Sequence, residues 1–196
     1  MRTIAAMLLA SACAGSLFLG ALPAATAHTE ATKASSHAPV SQPEWLDQLR
    51  GAMERFRDPR VAERHGYKRT NACSESPFTL ANGTRVGGMG YHYVNARLVE
   101  DPAISLLRPE ILVYVPDGRG GRKLGAVEYL KNDDDQLIST ANDRPELFGQ
   151  QFQGPSEPHE NGKPIHYDLH VWLFKHNPRG LFEPWNVRVT CPRQAA

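Results

Sequence analysis

The segment that most constrains the fold is HYDLHVWL, residues 166–173, in which polar and apolar side chains alternate. His166, Asp168 and His170 occupy every second position, and apolar side chains stand between them. In an extended strand, successive side chains point to opposite faces, so these three polar residues would share one face. The segment therefore predicts a strand with two imidazoles and a carboxylate on one face and a buried apolar surface on the other.

A helix is the alternative for this segment, because residues 165, 169, 172 and 173 also form an apolar stripe at helical spacing. His166 and His170 would then lie one turn apart, as in zinc-binding helices, but Tyr167 stands where the H-E-x-x-H motif has its glutamate. The content of Tyr, Val, Trp and Phe favours the strand.

Two further polar residues lie inside strand-like apolar runs, His92 in GMGYHYV and Glu128 in LGAVEYL. Four residues of a strand span about 13 Å, so His166 and His170 cannot both bind one ion without a bulge. His92, Glu128 and His170 (or His166 in its place) would make a set of two imidazoles and one carboxylate. Such a set suits a divalent zinc, iron or copper ion.

The residues around this set have other candidate roles. Asp168 or His166 would orient the ligands through hydrogen bonds. The aromatic side chains nearby would line a cleft for a small molecule; they are Tyr91, Tyr93, Trp172 and Trp185. The polar residues also have ordinary structural explanations: a solvated strand face, a salt bridge from Glu128 to an arginine, or a hydrogen-bonded core imidazole at position 92.

The N-terminus predicts export. Residues 1–27 have a basic start at Arg2, an apolar run and the small-x-small sequence Ala-Thr-Ala at 25–27, which indicates a cleaved signal peptide rather than a membrane span. A lipoprotein anchor at Cys13 fits less well, because the apolar run continues beyond it. Residues 28–42 lack apolar periodicity and predict a disordered tail, followed by a single globular domain at 43–191.

The remaining cysteines indicate a disulfide, and the charge balance narrows the classes of partner. Without the signal peptide, Cys73 and Cys191 are left, and an oxidising compartment favours one disulfide between them. The chain has 22 basic and 21 acidic residues, and Arg2 is the one charged residue of the signal peptide. This balance gives no reason to expect nucleic acid or an anionic membrane as a partner. The sequence specifies no oligomeric state.

The remaining patterns predict an α+β fold that is mainly β. Helices are expected from a capping box at 41–44 with an apolar stripe running to Phe56, and from Asp58-Pro59. Strands are expected at 86–98, 111–115, 123–130, 165–174 and 186–191, with a short helix near 146–152. Because most of these strands are joined by hairpins, we expect a curved antiparallel sheet or half-barrel, a partial β-barrel, with the N-terminal helices packed outside.

Five segments together resemble a family of uncharacterised secreted bacterial proteins: GMGYHYVN (88–95), RPEILVY (108–114), VEY (127–129), HYDLHVWL (166–173) and FEPWN (182–186). The resemblance covers most of residues 65–191 and implies secretion and a single domain, without an activity. The placement of polar residues within a β-rich domain is also similar to cupin metal sites. The cupin H-x-H pair is absent, and His166-x-x-x-His170 stands in its place.

These observations lead to three functional hypotheses. The first is a secreted metal-binding protein, extended to a metal-dependent enzyme acting on a small molecule. The second is a non-catalytic module that binds a small molecule in an aromatic cleft. The third is a structural protein of the cell envelope whose polar cluster satisfies its own hydrogen bonds. No G-x-S-x-G motif is present, and a Cys73–Cys191 disulfide would leave no free thiol in the mature chain, so a nucleophile-based hydrolase is not expected.

Overall fold

An antiparallel sheet of seven strands organises the chain. The computed structural model describes residues 43–70, 72–157 and 164–192, which belong to one compact unit. The predicted signal peptide and tail lie outside these residues. The strands are β1 Lys68–Arg69, β2 Ser74–Glu75, β3 Gly88–Val94, β4 Ile111–Pro116, β5 Arg122–Asn132, β6 Glu146–Leu147, β7 Gln150–Gln151, β8 Gln153–Ser156 and β9 His166–Val171.

The strand order is β1-β3-β4-β5-β9-β8, with β2 paired to β3, and every pairing is antiparallel. β6 and β7 form a separate hairpin. The expected α+β architecture, mainly β, is confirmed. The sheet is open and does not close into a full β-barrel. Its two ends, β1 and β8, are only 2 and 4 residues long, and they do not pair with each other to close it.

The N-terminal helices cover one face of this sheet. They are α1 Glu44–Met53, a 3₁₀ turn Glu54–Phe56 and α2 Pro59–Arg64, and a short α3 Ala96–Val99 follows β3. The predicted apolar stripe is buried as expected, at Leu46, Leu49, Met53 and Phe56. Pro43 occupies the N-cap of α1 without a side-chain hydrogen bond, and Ser41 of the predicted capping box lies outside the described residues. Asp58 caps α2 as expected, since its carboxylate accepts the amide hydrogen of Arg60.

Alternation along the strands separates two apolar layers. Tyr93, Leu112 and Tyr129 point towards the helices and belong to the larger core. The hydroxyl of Tyr114 reaches across this core and donates a hydrogen bond to the carbonyl of Phe56 at 2.6 Å. Ile111, Val113, Val115 and Ala126 belong to a smaller layer on the other face, with Trp172 and Val189. β4 is therefore buried on both sides, in agreement with its wholly apolar sequence.

Close backbone approach explains the glycines before and within β3. A Cβ at Gly87 would lie 2.1 Å from the backbone oxygen of Asn186, and one at Gly90 would lie 2.4 Å from that of Tyr114. Both glycines have positive φ, +96° and +120°, which other residues rarely adopt. The start of β3 can therefore approach both the C-terminal segment and β4.

Two predicted elements are wrong. The expected helix near 146–152 is the β6–β7 hairpin, whose turn residues Phe148 and Gly149 have φ of 60° and 71°, as a two-residue type I′ turn requires. The expected strand at 186–191 is reduced to one bridge between Asn186 and Gly88. Asn186 turns the chain instead, because its side-chain oxygen accepts the amide hydrogen of Arg188 at 2.9 Å.

Candidate metal centre

Three strands bring the polar residues of the face opposite the helices together. His92 lies on β3, Glu128 on β5 and His170 on β9. The segment at 166–171 is a strand, as its alternation predicts. Its register places His170 directly opposite Glu128, so their side chains project side by side. His92 reaches Glu128 across β4.

The ligand atoms of these residues lie at separations that suit one ion. Nε2 of His92 is 3.2 Å from Oε2 of Glu128, and Nε2 of His170 is 3.3 Å from the same oxygen. Two donors bound to one zinc-sized ion at about 2.0–2.1 Å lie roughly 2.9–3.4 Å apart at octahedral or tetrahedral angles. One ligand atom from each of the three residues lies within 4.8 Å of the other two. Where two ligand atoms are as much as 4.8 Å apart, a movement of about 1.4 Å would bring them to the roughly 3.4 Å separation of two donors on one ion.

The buried polar atoms of this cluster do not satisfy one another. The side chains of His170, Glu128 and His92 are only 2%, 9% and 13% exposed. Oε2 of Glu128 and both ring nitrogens of His170 have no hydrogen-bond partner among the described residues, despite the short distances. Buried polar atoms without partners are rare in native structures and call for a further binding partner.

The charges within the cluster favour an ionised Glu128. Burial alone would raise the pKa of this carboxyl, but the neighbouring imidazoles of His170 and His92, with a contribution from His166, hold it below its usual range. For His170, burial opposes protonation, yet the carboxylates of Glu128 and Asp168 outweigh it and raise the pKa of the imidazole. Glu128 therefore carries a buried negative charge at neutral pH, and a proton and a metal cation would compete for the ring nitrogens of His170 beside it.

Asp168 and His166 lie next to the cluster without joining it. Oδ1 of Asp168 is 3.6 Å from Nδ1 of His170, on the side of the ring away from Glu128. At this distance the two groups attract each other but form no hydrogen bond, and a small approach of Asp168 would let it orient the ring as carboxylates beside metal-binding histidines do. His166 lines the same cavity, and its Nδ1 lies 3.1 Å from the carbonyl oxygen of Pro164. It is not among the three residues whose ligand atoms lie within 4.8 Å of one another.

The four aromatic residues proposed for ligand binding are not brought together. Tyr91 and Tyr93 point to the helix side of the sheet, since they alternate with His92, and both pack in the larger core. Trp172 is buried in the smaller layer, where its Nε1 donates to the carbonyl of Glu183. Of the four, Trp185 alone lines the cavity next to the cluster. Strand alternation separates the two tyrosines from the polar face, so they do not line the cavity next to the cluster.

Sequence reasoning missed the apolar part of this cavity. Val94, Ile111 and Leu130 line it beside the cluster, and each stands at an alternating position on the polar face of its strand. Alternation relative to His92 and Glu128 was the available signal for Val94 and Leu130. No such indication exists in the sequence for Ile111. Because β4 is apolar at every position, its residues do not show which of its two faces borders the polar cluster.

The disulfide expected from the sequence is formed. Cys73 and Cys191 are bonded, with their Cα atoms 5.6 Å apart. Ser74, next to Cys73, lines the cavity, and its carbonyl oxygen lies 3.4 Å from Sγ of Cys191. The bridge thus ties the C-terminal segment to the rim of the cavity, and it fits an oxidising, extracytoplasmic compartment.

No helix in the described part of the chain is long and apolar enough to cross a bilayer. Comparison of the chain with protein-family models, with curated proteins and with solved structures finds no match.

Proposed function

We propose that this protein binds one divalent metal ion through His92, Glu128 and His170. The observation that carries the proposal is the buried carboxylate oxygen of Glu128, which lies 3.2 and 3.3 Å from two imidazole nitrogens without forming an aligned hydrogen bond. A hydrogen-bonded core cluster would align at least one of these donors with the oxygen. A shared cation would instead satisfy all three groups at these separations.

The donor set limits the metal. Two imidazoles and one carboxylate suit zinc, iron or copper, whereas calcium and magnesium prefer sets made of oxygen ligands alone. The ionised Glu128 contributes the negative charge that compensates part of the ion's charge in a buried site. Asp168 would hold the imidazole of His170 in the orientation that directs Nε2 at the ion.

Three protein ligands leave part of the coordination sphere of such an ion facing the cavity. Catalytic zinc sites share this arrangement, with three protein ligands and an open position, whereas structural zinc sites have four. A small molecule at the open coordination position would be polarised by the ion, which would act as a Lewis acid. We therefore extend the proposal to a metal-dependent enzyme acting on a small molecule, which depends on the metal being bound first.

We also propose that the protein is exported by cleavage of residues 1–27 and belongs to the family of secreted bacterial proteins that its motifs resemble. The disulfide between Cys73 and Cys191 supports an oxidising location. N-terminal sequencing of protein from the extracytoplasmic fraction should find His28 as the first residue. An uncleaved chain retained in the cytoplasm would contradict export.

Metal content tests the central proposal. The mature protein, stripped with a chelator and then dialysed against zinc, ferrous or cupric ions, should retain about one ion per chain by elemental analysis. Glu128→Gln keeps the size of the side chain and removes its charge, so it should lower the affinity about tenfold or more, as loss of even an outer partner does. The matched control is Glu110→Gln, because Glu110 is also buried, 2% exposed, but lies outside the cluster.

The two explanations of the cluster predict different results. If Glu128 is a ligand, Glu128→Gln loses metal and Glu110→Gln retains it. If the three residues only stabilise the sheet, Glu128→Gln changes the melting temperature while the wild-type protein already retains no ion. Equal metal content in the wild type and the Glu128→Gln variant would overturn the proposal.

A further inference from the structure

The cavity beside the cluster has the size of a small-molecule site. Its volume is about 510 Å³, and all three residues of the cluster contribute to its wall. Ligand sites in proteins typically measure about 300–1,000 Å³ and combine an apolar lining with a few convergent polar groups. The three side chains of the cluster are the convergent polar groups on one part of this wall.

An apolar strip borders the cluster on the same face of the sheet. Val94 pairs with Ile111 across β3 and β4, and Ile111 pairs with Glu128 across β4 and β5. Leu130 follows two residues after Glu128 and therefore points the same way. Trp185, from the segment after the last strand, also lines the cavity. A molecule held at the cluster would thus have its remaining atoms against apolar side chains.

The charges of the lining restrict the ligand further. No lysine or arginine is among the described residues that line the cavity. Its acidic residues outside the cluster are Glu75 and Asp168, and Glu75 is ion-paired with Arg85. Sites for phosphate esters or polyanions usually present arginine or lysine to the ligand. The lining therefore favours a neutral or singly charged molecule.

We propose that the cavity binds a small, largely apolar organic molecule through a single oxygen-donor group that reaches the metal ion. The body of the molecule packs on Val94, Ile111, Leu130 and Trp185. This inference rests on the proposed metal site, since the ion provides the attachment point for the donor group.

Two hydroxamic acids with the same metal-binding head test the apolar part directly. Protein loaded with Co²⁺ is titrated with acetohydroxamate and with benzohydroxamate, and binding is followed by the visible absorption of the ion. Benzohydroxamate should bind at least about tenfold more tightly after correction for the affinity of each acid for free Co²⁺. Burial of about 60 Å² of additional apolar surface corresponds to that factor.

Substitutions in the cavity wall test where the phenyl ring of benzohydroxamate binds. Trp185→Ala should reduce the preference for benzohydroxamate several-fold and leave acetohydroxamate binding unchanged. Phe78→Ala is the matched control, because Phe78 is 72% exposed and does not line the cavity. Val94→Thr keeps the shape of the side chain while adding a hydroxyl, and it should also weaken the preference for benzohydroxamate. It provides the test if Trp185→Ala fails to fold.

The outcomes separate this inference from the metal proposal. Failure of the wild type to take up Co²⁺ would overturn both. Uptake of Co²⁺ with equal corrected affinities for the two acids would overturn the proposal of an apolar ligand but not the proposal of a metal site. A preference that neither Trp185→Ala nor Val94→Thr weakens would show that the phenyl ring binds outside this cavity, and would overturn the inference.

Discussion

Removal of the disulfide should cost this protein much of its stability. Cys73 and Cys191 are separated by 118 residues, so the bridge closes a loop that spans most of the described chain. The chain-entropy relation for a loop of this length gives a closure entropy of roughly 16 cal/mol/K, or about 5 kcal/mol at 25 °C. Natural single domains have a total stability of about 5–15 kcal/mol, so this loss would be a large fraction.

The folded structure explains why most of this effect should arise in the unfolded state. Near the bridge, the backbones of Gly88 and Asn186 exchange two hydrogen bonds of 3.2 and 3.0 Å. β2 also remains paired with β3. These contacts can hold the C-terminal segment in place without the bridge. The unfolded chain, by contrast, would expand freely once the link is removed.

Denaturant titration measures the effect. The double variant Cys73→Ser, Cys191→Ser should lose about 3–5 kcal/mol of unfolding free energy, and its denaturant dependence should steepen because the unfolded state exposes more surface. Both proteins must be metal-free, since an ion bound only to the folded state would add stability of its own. Wild-type protein reduced with dithiothreitol provides the control and should match the variant. A loss below about 1 kcal/mol would refute the entropic reasoning.

Three further changes probe the fold and the site. Burial raises the pKa of Glu110 from 4.5 to about 7; the folded protein therefore binds more protons than the unfolded chain between these values, and stability should fall by roughly 3 kcal/mol as the pH rises through this window. Glu110→Gln should abolish that decline in denaturant titrations at several pH values, and an identical decline in the variant would contradict the assignment. Gly87→Ala would place a Cβ 2.1 Å from the oxygen of Asn186 and should destabilise by about 2 kcal/mol or more. Gly51→Ala, in a helix with no atom within 4 Å of the added Cβ, should instead stabilise by about 0.5–1 kcal/mol in the same melting assay. Asp168→Asn should weaken metal binding about tenfold in chelator competition without abolishing it, and unchanged affinity would remove its orienting role.

Local patterns determined which residues can share a face. Alternation predicted the strand at His166–Val171, and the placement of Tyr93 opposite His92 follows from the same rule. The amphipathic stripe predicted α1, and Asp58-Pro59 predicted α2. Each of these predictions depends on neighbours within a few residues, where the geometry of a helix or strand alone decides the direction of a side chain.

Exceptions to local alternation could not be anticipated. Strict alternation would place Leu124 on the face of Glu128, but a register shift between β4 and β5 at Gly125 turns it into the larger core. The bulge inserts one residue and reverses the face of everything before it. Likewise, residues 186–191 predicted a strand, whereas the side chain of Asn186 bonds to the backbone and turns the chain.

The tertiary structure alone decided that His92, Glu128 and His170 meet. Each residue was recognisable as polar within an apolar strand, but its distance from the others depends on the order β3-β4-β5-β9 and on the registers between them. A shift of one residue in any of these pairings would turn a whole strand over and send its polar residue to the helix side. Pairing register is set by contacts between residues far apart in sequence, so local pattern selects the candidates and only the packed sheet places their ligand atoms within 4.8 Å.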